Sequence, residues 1–591
     1  MIKAALSIVD LSVVLRQNGR DNLVLDRINL EAMPGEIIAV VGESGSGKST
    51  LGTAIQGLLP AFSEPKVTGS IRLAGTEIVG ARPAVLCAAR HQLVRTIPQD
   101  PMGALNPTMT IRHQLRESAG GDDTFIRDWL DRVGLADADA ILDAFPHRLS
   151  GGQRQRILIA MALMARPKVL IADEVITALD FALQDQVLEL LREGAREHQM
   201  AVLFITHNLA AAASLADRIF VLYRGRVVEF GRTDDALTNP RHPYLAGLLA
   251  TQFDFETDRR RLLPTLPVEQ TQFANPENAC CYAARCPVMR GECITGRPEL
   301  HSLAIPSHAA ACIFPELADS AARRYRTTEI WPPAPAAGPV EALRLSSVSK
   351  SFTTTVGLFG RRRERQVLES VDLSVRLGQC VALVGESGAG KSTILRLAAG
   401  LLAPDGGEIF RIDVSPQVIF QDAVASLTPW LPIGQQIGDR LRHLGLGKVE
   451  RVHRVREAFE LVGLDKGLMS SLPSSLSVGQ CQRAVIARAI VLPPKLLLCD
   501  EPISALDVSL AATTLNLLGR LRRQLGMAVL FITHDLAAAR IIADRIAVLD
   551  QGRVVQQGDP DATTAGFGPL SMSAILAAIP KTPASTGGRD A

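Results

Sequence analysis

Two glycine-rich segments carry the residue types that bind phosphate groups. GESGSGKST at 42–50 and GESGAGKST at 385–393 both match G-x-x-x-x-G-K-[ST], each between an apolar, strand-like run and a helical pattern. In such a loop, backbone N–H groups converge on phosphate oxygens, the lysine attracts the β- and γ-phosphates, and the serine offers its hydroxyl to Mg²⁺. The segments predict two sites for ATP and Mg²⁺. Their residues are Gly42, Ser44, Gly45, Gly47, Lys48, Ser49 and Thr50, and Gly385, Ser387, Gly388, Gly390, Lys391, Ser392 and Thr393.

A pair of acidic residues follows each of two buried-strand patterns. Asp173-Glu174 ends one apolar run, and Asp500-Glu501 ends another. A strand that delivers a carboxylate beside a phosphate-binding loop suits Mg²⁺ coordination, which we assign to Asp173 and Asp500. The next residue can orient and polarise the attacking water, so Glu174 and Glu501 are the candidate catalytic bases.

Two other polar residues recur in both halves of the chain. His207 and His534 each follow the strand-like sequence LFIT, and Gln99 and Gln421 each precede an aspartate. A histidine after a strand is often structural, but its recurrence favours contact with the γ-phosphate. The glutamines carry little meaning alone and take their interpretation from the resemblance given below.

Five of the nine cysteines lie between positions 280 and 312. Four of them, Cys280, Cys286, Cys293 and Cys312, could supply the sulfur ligands of a [4Fe–4S] cluster or of Zn²⁺. Because the sequence shows no export signal, metal ligation is favoured over disulfides. The spacing is not that of a zinc ribbon, and unligated thiols stay a third alternative.

The elements that must position these residues occur twice. LSGGQRQR at 149–156 recurs as LSVGQCQR at 476–483, and ADEVITALD at 172–180 recurs as CDEPISALD at 499–507, in the same order. The chain is therefore read as a duplicated α/β domain. We expect a first domain at 1–255, a Cys-rich extension at 256–320, a Pro/Ala linker at 321–342, a second domain at 343–560, and a C-terminal helix and tail at 561–591.

Length and composition limit the possible classes of protein. The chain has 591 residues, of which 47% are apolar, so it is a globular protein of several domains. A net charge of +2 gives no broad positive field that would favour nucleic acid as a partner. The longest apolar stretch, 200–216, is interrupted by polar residues, and a bilayer span needs about 20 predominantly apolar residues. We expect no transmembrane segment.

Together these residues resemble the ABC ATPase superfamily, above all through LSGGQ at 149–153. The resemblance implies two P-loop ATPase domains, each with a RecA-like core, an antiparallel β subdomain and a helical subdomain. It implies that the domains close face to face, each ATP lying between the P-loop of one domain and the signature of the other. It also implies catalytic and Mg²⁺-binding roles for Gln99 and Gln421. The signature residues that would contact ATP are Ser150, Gly151, Gly152 and Gln153, and Ser477, Gly479 and Gln480.

A narrower resemblance is to the ATPase subunits of oligopeptide, dipeptide and nickel importers. It rests on QDPMGALNPTMT at 99–110, on NPRHPY at 239–244 and on the cysteine pattern, which in some members holds a [4Fe–4S] cluster. It implies an import motor, in the peptide class, on the cytoplasmic face of the plasma (inner) membrane. Its partners would be two integral membrane permease subunits and an extracytoplasmic substrate-binding protein. The alternative is a soluble double ATPase acting on ribosomes or DNA, which would call for a charged helical linker or coiled-coil arms.

The two copies differ in ways that predict unequal ATP sites. We call the first P-loop with the second signature the first site, and the second P-loop with the first signature the second site. In this family an aromatic residue before the P-loop stacks on adenine, and Phe352 fits that role, whereas Leu15 occupies the matching position. Val478 replaces a signature glycine whose conformations a β-branched residue cannot adopt cheaply, and Val175 replaces a proline. We expect faster hydrolysis at the second site. The second copy is also shorter between its P-loop and its glutamine, which predicts the loss of part of a small β/helical arm.

Overall fold

The protein is described by a computed structural model that covers residues 3–17, 19–135, 137–176, 181–267, 278–302, 308–326, 329–333, 338–356, 361–386, 388–414, 416–504 and 506–565. Two compact units divide the chain. Unit 1 comprises Met1–Ala250, Leu266–Tyr325 and Pro569–Ala591, and unit 2 comprises Thr251–Thr265 and Arg326–Gly568.

Unit 1 is an α/β unit with two sheets. Its strands are β1 (Leu6–Gln17), β2 (Arg20–Ala32), β3 (Ile37–Val41), β4 (Lys66–Leu73), β5 (Thr76–Glu77), β6 (Val94–Ile97), β7 (Val169–Asp173), β8 (Ala201–Thr206), β9 (Arg218–Tyr223), β10 (Arg226–Arg232), β11 (His301–Ser302) and β12 (Ala309–Ala310). Its helices are α1 (Lys48–Ile55), α2 (Pro83–Gln92), α3 (Pro101–Ala104), α4 (Ile111–Ala119), α5 (Asp123–Arg132), α6 (Ala138–Leu142), α7 (Gly151–Met164), α8 (Phe181–His198), α9 (Leu209–Leu215), α10 (Thr233–Thr238), α11 (Pro243–Ala250), α12 (Glu292–Thr295) and α13 (Ala318–Tyr325).

The larger sheet of unit 1 brings the predicted site residues to one edge. Its order is β11-β12-β10-β9-β3-β8-β7-β6, and β9, β3, β8, β7 and β6 run parallel. Strands β3 and β8 are buried along their whole length, as expected for parallel strands covered on both faces. Parallel strands present their carboxyl ends at the same edge, where open α/β sheets bind ligands. The smaller sheet, of order β2-β1-β4-β5, is antiparallel.

Unit 2 repeats this plan. Its strands are β13 (Glu341–Val356), β14 (Arg361–Arg376), β15 (Cys380–Val384), β16 (Gly406–Arg411), β17 (Gln417–Ile419), β18 (Leu496–Asp500), β19 (Ala528–Thr533), β20 (Arg545–Asp550) and β21 (Arg553–Gly558). Its helices are α14 (Lys391–Ala398), α15 (Ile433–Asp439), α16 (Lys448–Leu461), α17 (Val478–Ile490), α18 (Val508–Leu525), α19 (Leu536–Ile542) and α20 (Pro560–Ala565). The sheets have the orders β14-β13-β16 and β17-β18-β19-β15-β20-β21.

The shorter second copy reflects a missing piece of the β arm. In unit 1, β5 and α2 lie between β4 and β6, whereas in unit 2 β17 follows β16 directly among the described residues. The expectation of a reduced arm is confirmed.

Residues 251–265 form part of unit 2, although they follow the first ATPase core along the chain. Leu263 is buried in the core of unit 2, and its N–H and C=O bond the side-chain amide of Asn516 at 2.9 and 2.8 Å. Trp331 packs on the same helix, α18, close to Gly519. None of the helices in the described part of the chain combines the length and the apolar character that a membrane crossing needs.

Candidate active sites

The first P-loop forms the turn between β3 and α1. Gly47 precedes the helix with a φ of 106°, which a residue with a side chain rarely adopts. A side chain at Gly42 would begin 2.2 Å from the carbonyl oxygen of Leu222, so the loop approaches its neighbour too closely for any other residue. Lys48 Nζ donates hydrogen bonds to the carbonyl oxygens of Gly42 and Glu43, at 2.7 and 2.9 Å. The lysine is thus held across the loop, where a phosphate would lie.

The second P-loop has the same geometry between β15 and α14. Lys391 Nζ donates to the carbonyl oxygens of Gly385 and Glu386, at 2.6 and 2.9 Å. Gly390 has a φ of 111°. The predicted residue Ser387 lies outside the described residues.

The aspartates at the ends of β7 and β18 have the environment of cation ligands. Burial raises the pKa of Asp173 to about 6, although a hydrogen bond from Ser49 opposes this shift. Oδ1 of Asp173 is buried and has no hydrogen-bond partner among the described residues. Burial also raises the pKa of Asp500. A buried carboxylate oxygen without a donor suits a bound cation, so Asp173 fits Mg²⁺, and Asp500 occupies the matching position in the second copy.

The glutamates that follow adopt an unusual backbone conformation in both copies. Glu174 has a φ of 50° and Glu501 a φ of 46°, in the left-handed region that non-glycine residues rarely enter. Their N–H groups donate to the carbonyl oxygens of Ile205 and Ile532, both at 2.9 Å. This conformation costs about 1–2 kcal/mol, and strain of this kind concentrates at functional sites.

The side chain of Glu174 is hydrogen-bonded to a glutamine and a histidine. Gln99 Nε2 lies 2.8 Å from Oε2, and His207 Nδ1 lies 3.1 Å from Oε1. Burial alone would raise the pKa of Glu174, but His207 and Gln99 reverse the effect and lower it. Glu174 is therefore a carboxylate at neutral pH, with the charge state that a water-activating base needs.

The second copy brings together the same three residue types, and here a serine contact is also described. His534 Nδ1 lies 3.2 Å from Glu501 Oε1, and Gln421 Nε2 lies 3.4 Å from Glu501 Oε2. Gln421 also donates to Ser504 Oγ at 3.2 Å. Ser504 was missed by sequence reasoning, since a serine within ISALD has no distinctive pattern. The hydrogen bond with Glu501 raises the pKa of His534.

Both signature motifs begin a helix through a capping box. Ser150 Oγ accepts the N–H of Gln153, and Gln153 Oε1 accepts the N–H of Ser150 at 2.9 Å. Ser477 and Gln480 repeat the arrangement at the start of α17. Such an N-terminus exposes N–H groups and positive dipole to an anion. Gly151 and Gly152 lie in the first turn of α7, and Gly479 in that of α17.

One of the reasons for expecting unequal sites is wrong at the local level, and the contacts of Val175 give no support to a second. Val478 is the first residue of α17, an ordinary helical position, and its counterpart Gly151 has no positive φ. Val478 therefore costs no backbone strain. The carbonyl oxygen of Val175 accepts a hydrogen bond from Gln155 Nε2, as that of Pro502 does from Gln482 Nε2, so this contact is the same in both copies.

The third reason is supported by a difference in exposure. Phe352 on β13 is half-buried, with Lys350 Nζ 5.8 Å from its ring centroid, whereas Leu15 is buried in the core of unit 1. An accessible ring can stack on a base, but a buried leucine cannot.

The four cysteines predicted to bind a metal lie near one another but do not form a metal site. Burial raises the pKa of Cys286 and of Cys312 to about 12, and the charge of Cys280 adds to the effect on both. Without a metal these two thiols are protonated at neutral pH, and a bound metal would have to displace their protons. Within the described ranges, no group of three or more His, Cys, Asp or Glu side chains is placed to hold a metal ion. The residues as placed do not fit a [4Fe–4S] cluster or Zn²⁺, so this expectation is not supported.

Comparison with known proteins places these geometries in a family. Residues 25–177 and 368–504 match the ABC transporter family, and residues 228–293 match the oligopeptide/dipeptide transporter C-terminal region. The chain is 38% identical to an oligopeptide transport ATP-binding protein of Mycobacterium tuberculosis, over 98% of both chains. It belongs to the ABC transporter ATPases of the oligopeptide/dipeptide type. This confirms the fold class and the ATPase activity expected from the two P-loop domains.

Other relatives of this ABC ATPase align with it over most of their length. A peptidoglycan transport ATP-binding protein of Agrobacterium fabrum is 34% identical and is aligned over 94% of this chain and 92% of its own. A glutathione import ATP-binding protein of Escherichia coli O157:H7 is 35% identical, over 97% and 89%.

Proposed function

We propose that this ABC ATPase is the motor of a peptide importer. The main support for this proposal is the match of residues 228–293 to the oligopeptide/dipeptide transporter C-terminal region. In the same chain, each of the two ATPase cores has a P-loop, the paired carboxylates and a signature motif. The relatives named for oligopeptide, peptidoglycan and glutathione transport support this substrate class. The motor acts at the cytoplasmic face of the plasma membrane through two membrane permease subunits. An extracytoplasmic binding protein delivers the peptide.

The residue roles follow from the geometry of the two cores. Lys48 and Lys391 bind the β- and γ-phosphates, while Glu174 and Glu501 each take a proton from the attacking water. The water oxygen bonds to the γ-phosphorus as the bond to the bridging oxygen breaks, and ADP leaves with that oxygen. Mg²⁺, when bound, would neutralise charge on the phosphate oxygens. The residues proposed to hold it are Ser49, Gln99, Asp173, Ser392, Gln421 and Asp500.

Reconstitution tests the proposal. The chain would be placed in lipid nanodiscs with its two candidate permease subunits, and ATP hydrolysis measured with and without a peptide-loaded binding protein. Stimulation by the loaded binding protein, lost in the Glu174→Gln/Glu501→Gln double variant, supports import. Stimulation by ribosomes or DNA, with no response to the binding protein, would favour the soluble ATPase instead.

For the cysteines, the proposed role is structural. We name residues 278–302 and 308–325 the cysteine segment. Cys280, Cys281 and Cys286 pack against the hydrophobic core of unit 1, and that packing supports a part in the fold without a bound metal. Iron and zinc analysis of anaerobically purified protein checks this. A content of about four irons per chain would contradict the purely structural role and support the [4Fe–4S] cluster expected from the sequence.

A further inference from the structure

The cysteine segment reaches the P-loop of its own unit. Arg285 donates to both carboxylate oxygens of Glu43, with Nη1–Oε2 at 2.5 Å and Nη2–Oε1 at 3.0 Å. Glu43 is the second residue of the P-loop, and its carbonyl oxygen is one of the two that hold Lys48 Nζ. Bidentate arginine–carboxylate pairs fix geometry as well as charge.

Arg285 is itself held in place. Its Nε donates to the carbonyl oxygen of Pro267 at 2.8 Å, and its guanidinium lies 5.9 Å from the ring centroid of Tyr223 and 6.0 Å from that of Tyr282. The side chains of Arg285 and Glu43 are only 16% and 15% exposed, so solvent screens their interaction weakly. Burial opposes the charge on Arg285, but Glu43 more than compensates and raises its pKa.

The P-loop residue is also held through its backbone. The N–H of Glu43 donates to the hydroxyl oxygen of Tyr244, on α11, at 2.7 Å. Tyr244 is fully buried and packs against Tyr223 and Tyr282. Glu43 is therefore fixed at its amide and at its carboxylate by chain that follows the ATPase core.

A second arginine of the cysteine segment contacts the neighbourhood of the same loop. Arg297 Nη2 lies 2.9 Å from Asp26 Oδ2, which Arg226 also contacts. Asp26 donates its N–H to the carbonyl oxygen of Gly225, whose own N–H donates to that of Ser46 in the P-loop.

The second copy keeps the loop, but its described residues show no counterpart of the Arg285–Glu43 pair. Glu386 matches Glu43, but residues 559–591 contain no cysteine, and Leu570 stands where Tyr244 would align. Glu369 and Arg553 form the ion pair that matches Asp26 and Arg226, without a counterpart of Arg297 among the described residues.

We propose that the cysteine segment preorganises the P-loop of the first site, with Arg285 as a positioning residue that acts through Glu43. A loop that is already ordered loses less conformational entropy when ATP binds. Without the Arg285–Glu43 contact, the loop would become ordered only when ATP binds, and the entropy lost in that ordering would weaken binding. We expect ATP affinity at this P-loop to fall about tenfold, while the P-loop of unit 2 is unaffected. The inference rests on the proposed ATP-binding role of Lys48.

Site-selective binding of a fluorescent ATP analogue tests the inference in the full chain. In a Lys391→Ala background, binding of the analogue reports the first P-loop, because the second has lost its phosphate-binding lysine. In a Lys48→Ala background, binding reports the second P-loop. In the first background, Arg285→Gln should weaken binding about tenfold, and in the second it should change nothing. Arg290→Gln, which removes a guanidinium over the Phe314 ring elsewhere in the cysteine segment, is the matched control and should leave both affinities unchanged.

A double-mutant cycle separates positioning from general damage. Glu43→Gln alone should weaken binding similarly, and Arg285→Gln added to Glu43→Gln should weaken it little more, because both changes remove one contact. With wild-type P-loops, Arg285→Gln should raise the KM for ATP with little change in kcat. If the Arg285→Gln variant misfolds, the milder change Arg285→Lys replaces it in the binding assay. Its affinity for the ATP analogue should lie between that of the unsubstituted protein and that expected for Arg285→Gln.

The outcomes are distinguishable. If the Lys391→Ala chain binds no nucleotide, the ATP-binding role of the first P-loop fails. If it binds nucleotide and Arg285→Gln has no effect, or weakens both P-loops equally, or adds fully to Glu43→Gln, the positioning role is overturned.

Discussion

The glutamates after β7 and β18 show how much a single residue can depend on its backbone. A left-handed conformation at Glu174 and at Glu501 turns each carboxylate toward a glutamine and a histidine. The strain is offset by the hydrogen bonds to Ile205 and Ile532 and by the buried strands on either side. Because both copies retain this strained arrangement, we infer that both sites are able to hydrolyse ATP.

Unequal turnover is the first prediction at this scale. Glu501→Gln should reduce ATP hydrolysis about a hundredfold, in the range of a lost general base. Glu174→Gln should reduce it much less, because the second P-loop has the accessible aromatic ring. Steady-state phosphate release from the two variants and the wild type measures this. Equal losses would contradict the expected asymmetry.

The ring itself can be tested separately. Phe352→Leu should weaken ATP binding at the second P-loop at least about fivefold, since stacking of a base on an aromatic ring contributes about 1–3 kcal/mol. Fluorescent-analogue titration in a Lys48→Ala background gives the affinity. Phe410→Leu, at an exposed ring on β16 of the same sheet, is the control. An unchanged affinity for Phe352→Leu would remove the remaining local reason for asymmetry.

At the scale of the element, the N-terminus of each signature helix has two roles, in stabilising the helix and in facing the phosphate. The side chains of Ser150 and Ser477 cap α7 and α17, which stabilises each helix. The same N-termini present N–H groups to an anion. The serine therefore affects both helix stability and the phosphate-binding end of the helix, and different substitutions at this position can change one without the other.

Ser477→Asp should mainly reduce ATP hydrolysis, whereas Ser477→Ala should reduce the stability of the fold. Aspartate caps a helix as well as serine, so stability should be retained, but its negative charge at the phosphate-binding end should reduce ATP hydrolysis strongly. Alanine removes the cap and should lower the free energy of unfolding by about 1 kcal/mol. Thermal unfolding and ATPase assays on both variants measure the two effects. Full activity in Ser477→Asp would exclude a role for this N-terminus at the phosphate.

At the scale of the whole molecule, the path of the chain is more complex than a string of domains. After Ala250 the chain contributes Thr251–Thr265 to unit 2 and then returns to unit 1 with Leu266–Tyr325. The returning part includes the cysteine segment, which contacts the first P-loop through Arg285. Arg259 and Arg540, within unit 2, both pair with Asp561.

Asn516 is the residue through which α18 holds the 251–265 segment. Asn516→Ala would leave the buried N–H and C=O of Leu263 without partners, which should destabilise unit 2 by about 2–3 kcal/mol. Hydrogen exchange should show faster exchange in α18 and little change in the strands of unit 1. Thr513→Ala is the matched control on α18, because the described contact of the Thr513 hydroxyl is a hydrogen bond within the helix, to the carbonyl oxygen of Ser509 one turn earlier. Equal effects of the two variants would contradict the role of Asn516.

Much of each active site could be predicted from sequence because its geometry is local. A strand, a glycine loop and a helix that follow one another determine where Lys48 and Lys391 lie, and the duplication supplied an internal check on Asp173, Glu174 and their counterparts. The signature serines were likewise predictable, since a capping box involves residues only three positions apart.

The tertiary structure alone decided the contacts between distant parts of the chain. Nothing in the spacing connects Arg285 to Glu43 or Leu263 to Asn516, because such pairs arise from packing and leave no periodic pattern. It also showed that Val478 costs no backbone strain, since a glycine in a motif need not have a glycine-only conformation. For the cysteines, spacing indicated ligands, but the fold of the described residues does not bring three or more of these side chains into positions that could hold a metal ion. Local chain geometry is set by neighbours in sequence, whereas these features depend on which surfaces the fold buries together.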